Sequence, residues 1–347
     1  MIKIVEYKEI SREEWSALVK ASATGTWFQT PEAYEFFQSQ LDLFKPFAYG
    51  VENEGRLRGV CVGYVTMEKS ALKQMLTRRA IIVGGPCLAD DCTADEVTEL
   101  MKTVRKELKG EAIYVESRNF NDYSKWKEAF AKAGFVYQPH LNFHVDCTDK
   151  EKMWERMSEN RKRQLRKQPN PSPSPQGRDV LESDVREWYE ILANLYRTKV
   201  KTPLFPLSFF MEAYRQNIGK FMLVKHDNKV IGGSFCVEFK KIPITNHQLP
   251  ISACGAVYEW FECGANAENK EQYPSVTATY MGMEYAAEHG FARYDMMGAG
   301  VPGVPYGVRD FKSEFGGTMV EHGRFLNVCK PWLYRIGKLA IKVLKGI

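Results

Sequence analysis

The chain has 347 residues, 44% of them hydrophobic and 26% charged, with a formal net charge of +5 and a pI near 8.6. That length exceeds one ordinary core and suits two domains. The mild positive balance is not that of a dedicated nucleic-acid binder, and it fits an anionic substrate, an anionic membrane surface, or neither.

The first fifteen residues, MIKIVEYKEISREEW, are charged from the start and lack the apolar core of a signal peptide. No run approaches the ~18 apolar residues of a membrane span, so the expected location is the cytoplasm. Residues 47–66, FAYGVENEGRLRGVCVGYVT, read as a hairpin turning at Asn53, Glu54 and Gly55. A strand (80–86) and a helix (93–109) follow, with Thr93 and Glu96 at capping-box spacing. Then come a strand (112–119) and a short helix, glycine and strand (125–146).

A basic helix (154–168), the segment PNPSPSPQ (169–176) and a second helix (182–199) form the join. The prolines forbid helix and favour an extended strip. The same order of elements then returns. Residues 221–239 form a hairpin turning at Asp227 and Asn228. A strand (251–260), a helix (275–290) ended by Gly290, a strand (292–300) and a closing segment (308–328) follow. Five successive elements in one order indicate a duplication. The expected fold is α/β (α+β): two tandem units, 1–150 and 151–330, each a mixed, mostly antiparallel sheet flanked by helices.

Residues 331–347, PWLYRIGKLAIKVLKGI, place Arg335, Lys338, Lys342 and Lys345 at helical spacing beside an apolar face. This is a basic amphipathic helix, either docked on its own domain or held at an anionic membrane surface.

The eight cysteines (Cys61, Cys87, Cys92, Cys147, Cys236, Cys254, Cys263 and Cys329) include no CxxC and no zinc spacing. Most sit in apolar runs, as buried thiols in a reducing compartment do. His140 and His144 in HLNFHVD share a strand face four residues apart. That is about 13 Å along the strand, too far for one metal. Gly298-x-Gly300-x-x-Gly303 follows a strand without opening a helix and is interrupted by Pro302, so it reads as a loop rather than a dinucleotide site.

Several segments together resemble the Fem-type aminoacyltransferases, which consist of two GNAT-like units and build peptidoglycan cross-bridges. They are Phe28-Gln29-Thr30-Pro31, Trp154 through Arg166, Leu195-Tyr196-Arg197-Thr198, Tyr285 to Gly290 and Tyr294-Asp295-Met296-Met297-Gly298. Phe311-Lys312-x-x-Phe315-Gly316-Gly317 and Gly323-Arg324 complete the set. The resemblance covers roughly residues 25–330. It departs at PNPSPSPQ, where the family continues into a Lys/Gly segment. It departs again in AYEFFQSQL, which lacks the Lys of members with a nucleotide-muropeptide acceptor.

The resemblance implies an N-acyltransferase of the second half. Its donor is aminoacyl-tRNA, its acceptor is an amine of a cell-wall precursor, and it holds no tightly bound cofactor or metal. A GNAT-type enzyme using acyl-CoA or an acyl carrier on a lipid or sugar amine is the alternative. The loop CGANAENKEQYPS lacks the pyrophosphate-cradling pattern such a donor usually meets. A third reading is a non-catalytic membrane-surface protein.

Lys312 is the candidate to stabilise the transferring carbonyl, against the alternative of a solvated surface Lys. Asp295 is the candidate to orient the acceptor amine or Lys312, against a strand-edge salt bridge. Tyr258 and Glu259 on the preceding strand, Phe311, Phe315 and Gly316 around Lys312, and Arg324 are the candidate substrate contacts. Phe311 and Phe315, at i,i+4, also suit a role anchoring their helix. Arg161 and Arg166 are candidates to meet phosphates of the acceptor or of tRNA, against a merely solvated basic face.

Overall fold

A computed structural model of the chain describes residues 1–68, 70–167, 180–241 and 255–345. The expected extended strip at 169–176, residues 251–254 of the expected strand, and Cys254 lie outside them. The chain divides into unit 1 (Met1–His140 with Glu321–Ile347) and unit 2 (Leu141–Val320).

The strands of unit 1 are β1 (Lys3–Glu6), β2 (Phe44–Asn53), β3 (Arg56–Thr66), β4 (Ala80–Gly84), β5 (Cys87–Leu88), β6 (Tyr114–Asn119) and β7 (Val136–Gln138). Those of unit 2 are β8 (Leu141–Asp146), β9 (Lys220–His226), β10 (Lys229–Phe239), β11 (Ala256–Gly264), β12 (Arg293–Asp295) and β13 (Thr318–Glu321). The chain then returns to unit 1 as β14 (Arg324–Val328). The sheet orders are β1-β2-β3-β4-β6-β14-β7 and β13-β8-β12-β11-β10-β9. Each contains a parallel pairing, β4 with β6 and β11 with β12, beside antiparallel neighbours.

Both hairpins form at the expected turns. Their central residues, Glu54 with Gly55 and Asp227 with Asn228, all have φ between 49° and 73°. Two left-handed residues match the twist of the flanking strands, and Gly, Asn and Asp adopt that conformation at least cost. Thr93 caps the helix Ala94–Leu108, and Glu96 returns the capping-box bond to the Thr93 amide at 2.7 Å. In unit 2 the equivalent helix, Pro274–Glu288, is buried along most of its length. A Cβ at Gly282 would lie 2.6 Å from the Tyr294 ring, so the missing side chain lets this helix lie close on β12.

The closing strands depart from the sequence reading. Residues 141–146 were expected to end the first unit and 324–328 the second. Instead β8 pairs with β12 in unit 2, and β14 pairs with β6 and β7 in unit 1. Each repeat's last strand therefore completes the other repeat's sheet, in the same slot of the strand order. The boundary falls at His140/Leu141 rather than at 150, and 321–347 returns to unit 1. Pattern along the chain shows that a strand exists and not which sheet receives it.

Two helices also differ. The basic helix expected over 154–168 is two, Lys150–Arg156 and Glu159–Arg166, because Met157 is extended and Ser158 caps the second through the Arg161 amide at 3.2 Å. The helix expected over 182–199 is α-helical only over Glu182–Leu195. A π-turn, Tyr196–Val200, follows and stops at left-handed Lys201.

On β14, Phe325 is buried and stacks on Phe130 with centroids 3.9 Å apart. Phe325→Ala is expected to cost about 3–5 kcal/mol of stability in a urea titration. A loss below about 1 kcal/mol would show that β14 does not close the core of unit 1.

Candidate active site

The site grows from a fork in the sheet of unit 2. The parallel register of β11 and β12 runs Ala256↔Arg293, Val257↔Tyr294 and Tyr258↔Asp295, and then stops while β11 continues to Gly264. In unit 1 the equivalent pair stays joined for five rows, Ala80↔Val115 to Gly84↔Asn119. Beside the fork, β10 sets Cys236 opposite Glu259 and Phe235 opposite Phe261, leaving Trp260 as a bulged residue. The bulge reverses the alternation, so Glu259 and Glu262 point to the same face, towards helix Pro274–Glu288.

Lys312, on the short helix Gly307–Ser313, reaches into the fork. Its buried Nζ donates to the carbonyls of Met296 and Gly298, the latter at 3.1 Å, and lies 3.6 Å from Glu259 Oε2. Glu259 Oε1 accepts from Thr279 Oγ1 at 2.9 Å and from the Tyr294 hydroxyl at 2.8 Å. The ammonium thus occupies the gap that strand pairing leaves open.

Asp295 holds the turn that presents those carbonyls. Its Oδ1 accepts from the Met297 amide at 2.9 Å and from Asn142 Nδ2 at 2.7 Å. Asn142 Oδ1 in turn accepts from the Gly298 amide at 2.8 Å. Both amides of the turn are pinned while its backbone is left-handed, with φ of 51° at Met297 and 109° at Gly298. Asp295 Oδ2 lies 3.1 Å from His144 Nε2 and 3.9 Å from Arg293 Nη2. The Asp295 carboxylate is therefore linked to Lys312 through the backbone of this turn.

Burial opposes charge on Asp295, but His144, Arg293 and the Asn142 hydrogen bond outweigh it and hold the carboxyl well below its usual range. Glu259 goes the other way. Burial raises it despite Lys312, Tyr294 and Thr279. Glu262 has a buried Oε1, and burial together with the charge of Glu259 pushes it up to about 8. Burial keeps the Tyr294 phenol protonated, so it stays a donor to Glu259.

The remaining candidates fall in several places. Tyr258 is buried in the core and accepts from Arg293 Nη2 at 3.3 Å. Phe315 is buried and Phe311 packs against it at 5.2 Å, so both anchor the Lys312 helix. Gly316 has φ of 74°, and a Cβ there would lie 2.5 Å from the Arg156 carbonyl oxygen. Arg161 is buried with its guanidinium over Phe311 and Phe315, at 4.6 and 5.4 Å, and 3.5 Å from Glu314. Its charge is engaged with the two rings and the Glu314 carboxylate. Arg166 is exposed, 5.8 Å from the Trp154 ring. Arg324 belongs to unit 1, where it bonds Glu116 at 3.0 Å and His140 at 2.9 Å. His140 and His144 lie in different units.

Sequence reasoning missed Asn142 and His144 as partners of Asp295, and Thr279 and Glu262 beside Glu259. The alternation Asn142, His144 is readable in HLNFHVD, but position along the chain puts that strand in the first repeat. Among the described residues no group of His, Cys, Asp and Glu can hold a metal ion. Six of the seven described cysteines are buried, and burial pushes the Cys236 and Cys147 thiols up to about 12, far from a nucleophile's range.

No family model matches the chain, and no curated protein sequence matches it. Solved structures do. One is described as FemX, at 14% identity and a TM-score of 0.66, covering 96% of this chain and 99% of that one. L-PGS from Bacillus licheniformis matches at 11% identity and a TM-score of 0.50, covering 95% and 96%. A tandem GNAT protein from the clavulanic acid biosynthesis pathway matches at 9% identity and a TM-score of 0.50, covering 95% and 99%. The chain therefore has the two-unit, GNAT-type fold of these proteins.

Glu262 gives a pH signature. Its folded carboxyl binds a proton more tightly than in the unfolded chain, so its contribution to stability is full below about pH 4.5 and is lost as pH rises through about 8. Glu262→Gln removes that titration. Relative to wild type, the variant is expected to gain about 4 kcal/mol between pH 5 and pH 9 in urea titrations. An unchanged difference across that range would place the carboxyl in water.

Proposed function

We propose that the chain is an acyltransferase that moves an aminoacyl group from aminoacyl-tRNA to an amine of a cell-wall precursor, with its chemistry at the fork in unit 2. The observation that carries this reading is the buried Lys312 ammonium, held by two backbone carbonyls and facing Glu259. Aminolysis of an ester needs an aligned amine, a proton acceptor and a donor for the developing oxyanion. Two of the three Lys312 protons go to Met296 and Gly298 and the third faces Glu259, so the ammonium acts on that oxyanion through its charge. The neutral amine nitrogen bonds to the carbonyl carbon, the carbon–oxygen bond of the ester breaks, and the departing ribose oxygen takes back from Glu259 the proton that the amine has given up. Glu259 Oε2 accepts the proton released by the amine. Thr279 and Tyr294 hold the opposite carboxylate oxygen and so fix its direction.

The start of helix Pro274–Glu288 weighs against an acyl-CoA donor. The Ser275 amide donates to Asn266 Oδ1 at 3.3 Å, and the Thr277 amide to the Tyr273 carbonyl at 3.0 Å. The Glu262 carboxyl, hydrogen-bonded to Ser275, adjoins the same turn. Amides occupied by the chain's own acceptors beside a carboxyl group do not make a pyrophosphate cradle.

The purified protein should be offered charged tRNA, and separately acyl-CoA, each with a peptide amine of a lipid-linked or nucleotide-linked precursor. Product is expected from charged tRNA, and Lys312→Ala is expected to lower its kcat by about 10²–10³. Product from acyl-CoA alone would contradict the donor. Full activity in Lys312→Ala would contradict the site.

A further inference from the structure

The C-terminal helix of unit 1, Pro331–Lys345, is held by one side and bare on another. Leu333 is 4% exposed, and the Tyr334 ring packs on Tyr114 of β6 at 5.4 Å. Trp332, Ile336 and Leu339 are 62%, 50% and 63% exposed. At ~100° per residue these three share an arc of about 60°, and Arg335 and Lys338 lie to one side of it. The sequence left open whether this helix docks on its own domain or serves a membrane. Its geometry does the first with one face and leaves a second apolar face in water.

A second helix enlarges that face. Ala71–Thr77 packs against Pro331–Lys345 and exposes Met75 and Leu76. Five large apolar side chains from two touching helices are more than the scattered exposure ordinary for a soluble surface. The two segments are basic, with a single acidic residue, Glu68, just before the first. Residues 69–79 carry four Lys or Arg and residues 330–347 carry five, with no Asp or Glu in either segment. Arg78 is drawn to Glu111 at 3.4 Å, while Arg335 and Lys338 are exposed.

We propose that this two-helix face binds the surface of an anionic lipid bilayer, with Trp332, Ile336 and Leu339 entering the headgroup–acyl boundary and Arg335 and Lys338 meeting lipid phosphates. Like charges on both partners oppose a second copy of the chain as the occupant, and bare aliphatic side chains do not suit nucleic acid. No described helix is long and apolar enough to cross a membrane, so the contact is peripheral. The inference rests on unit 1 alone and is independent of the proposed transfer reaction.

The full-length protein should be floated with vesicles of phosphatidylglycerol and phosphatidylcholine, and with vesicles of phosphatidylcholine alone. Binding is expected to the anionic vesicles and to weaken at least tenfold in 0.5 M salt. Trp332→Glu combined with Ile336→Glu and Leu339→Glu should lower it at least tenfold, with an unchanged thermal melt because all three side chains are exposed. Arg335→Gln with Lys338→Gln, which leaves the apolar stripe intact, should lower it several-fold and serves if the triple variant fails to fold. Tryptophan emission should shift to the blue on adding anionic vesicles in wild type but much less in Trp332→Phe. Equal binding by wild type and both multiple variants, or no binding to anionic vesicles, would overturn the proposal. So would a wild-type dimer that the triple variant converts to monomer, or tRNA binding lost in that variant while vesicle binding is kept.

Discussion

A lysine ammonium placed where two parallel strands part is the interaction on which unit 2 depends. Removing an ammonium from water costs several kcal/mol unless partners replace the water. The partners here are the carbonyls of Met296 and Gly298, freed because β12 stops pairing at Asp295, and the Glu259 carboxylate across the gap. Two carbonyls can face one ammonium only if the backbone turns sharply. That turn is left-handed at Met297 and Gly298, and Asp295 and Asn142 tie its amides down. The bulge at Trp260 supplies the other wall by turning Glu259 and Glu262 to one side.

This arrangement explains why the two copies differ. In unit 1 the equivalent strands stay joined for five rows, so they leave no fork for a side chain to fill. There the strand that fills the slot held by β8 in unit 2 carries Arg324 against Glu116, a buried carboxylate that Arg118 also pairs. In unit 2 that slot brings Asn142 and His144 beside Asp295. The exchange of closing strands therefore has a chemical consequence: Asn142 and His144, which brace Asp295 at the Lys312 turn, come from the strand that closes the first repeat in sequence.

Much of this was legible before the structure. The hairpins, their turn residues and the capped helix Ala94–Leu108 are local features, set by residues a few positions apart, and each formed where expected. Lys312, Asp295 and Glu259 were singled out by motif and position, and the fold brings them to one fork. What sequence could not show was non-local. Alternation in HLNFHVD marks a strand but does not choose its sheet, so Asn142 and His144 were not connected to Asp295. The bulge that aligns Glu262 with Glu259 depends on pairing with β10. Arg161 looked like a free cation because the rings of Phe311 and Phe315, about 150 residues later, are not its neighbours in sequence.

The most direct measurement of the central claim is a double-mutant cycle in unfolding free energy between Asp295→Asn and Lys312→Met. The two side chains do not bond each other; they are joined through the Met296–Gly298 turn. If Asp295 holds that turn for Lys312, the paired variant should depart from the sum of the singles by about 0.5–3 kcal/mol. Additivity to within about 0.4 kcal/mol would show that the lysine is held without the turn, and would contradict the account.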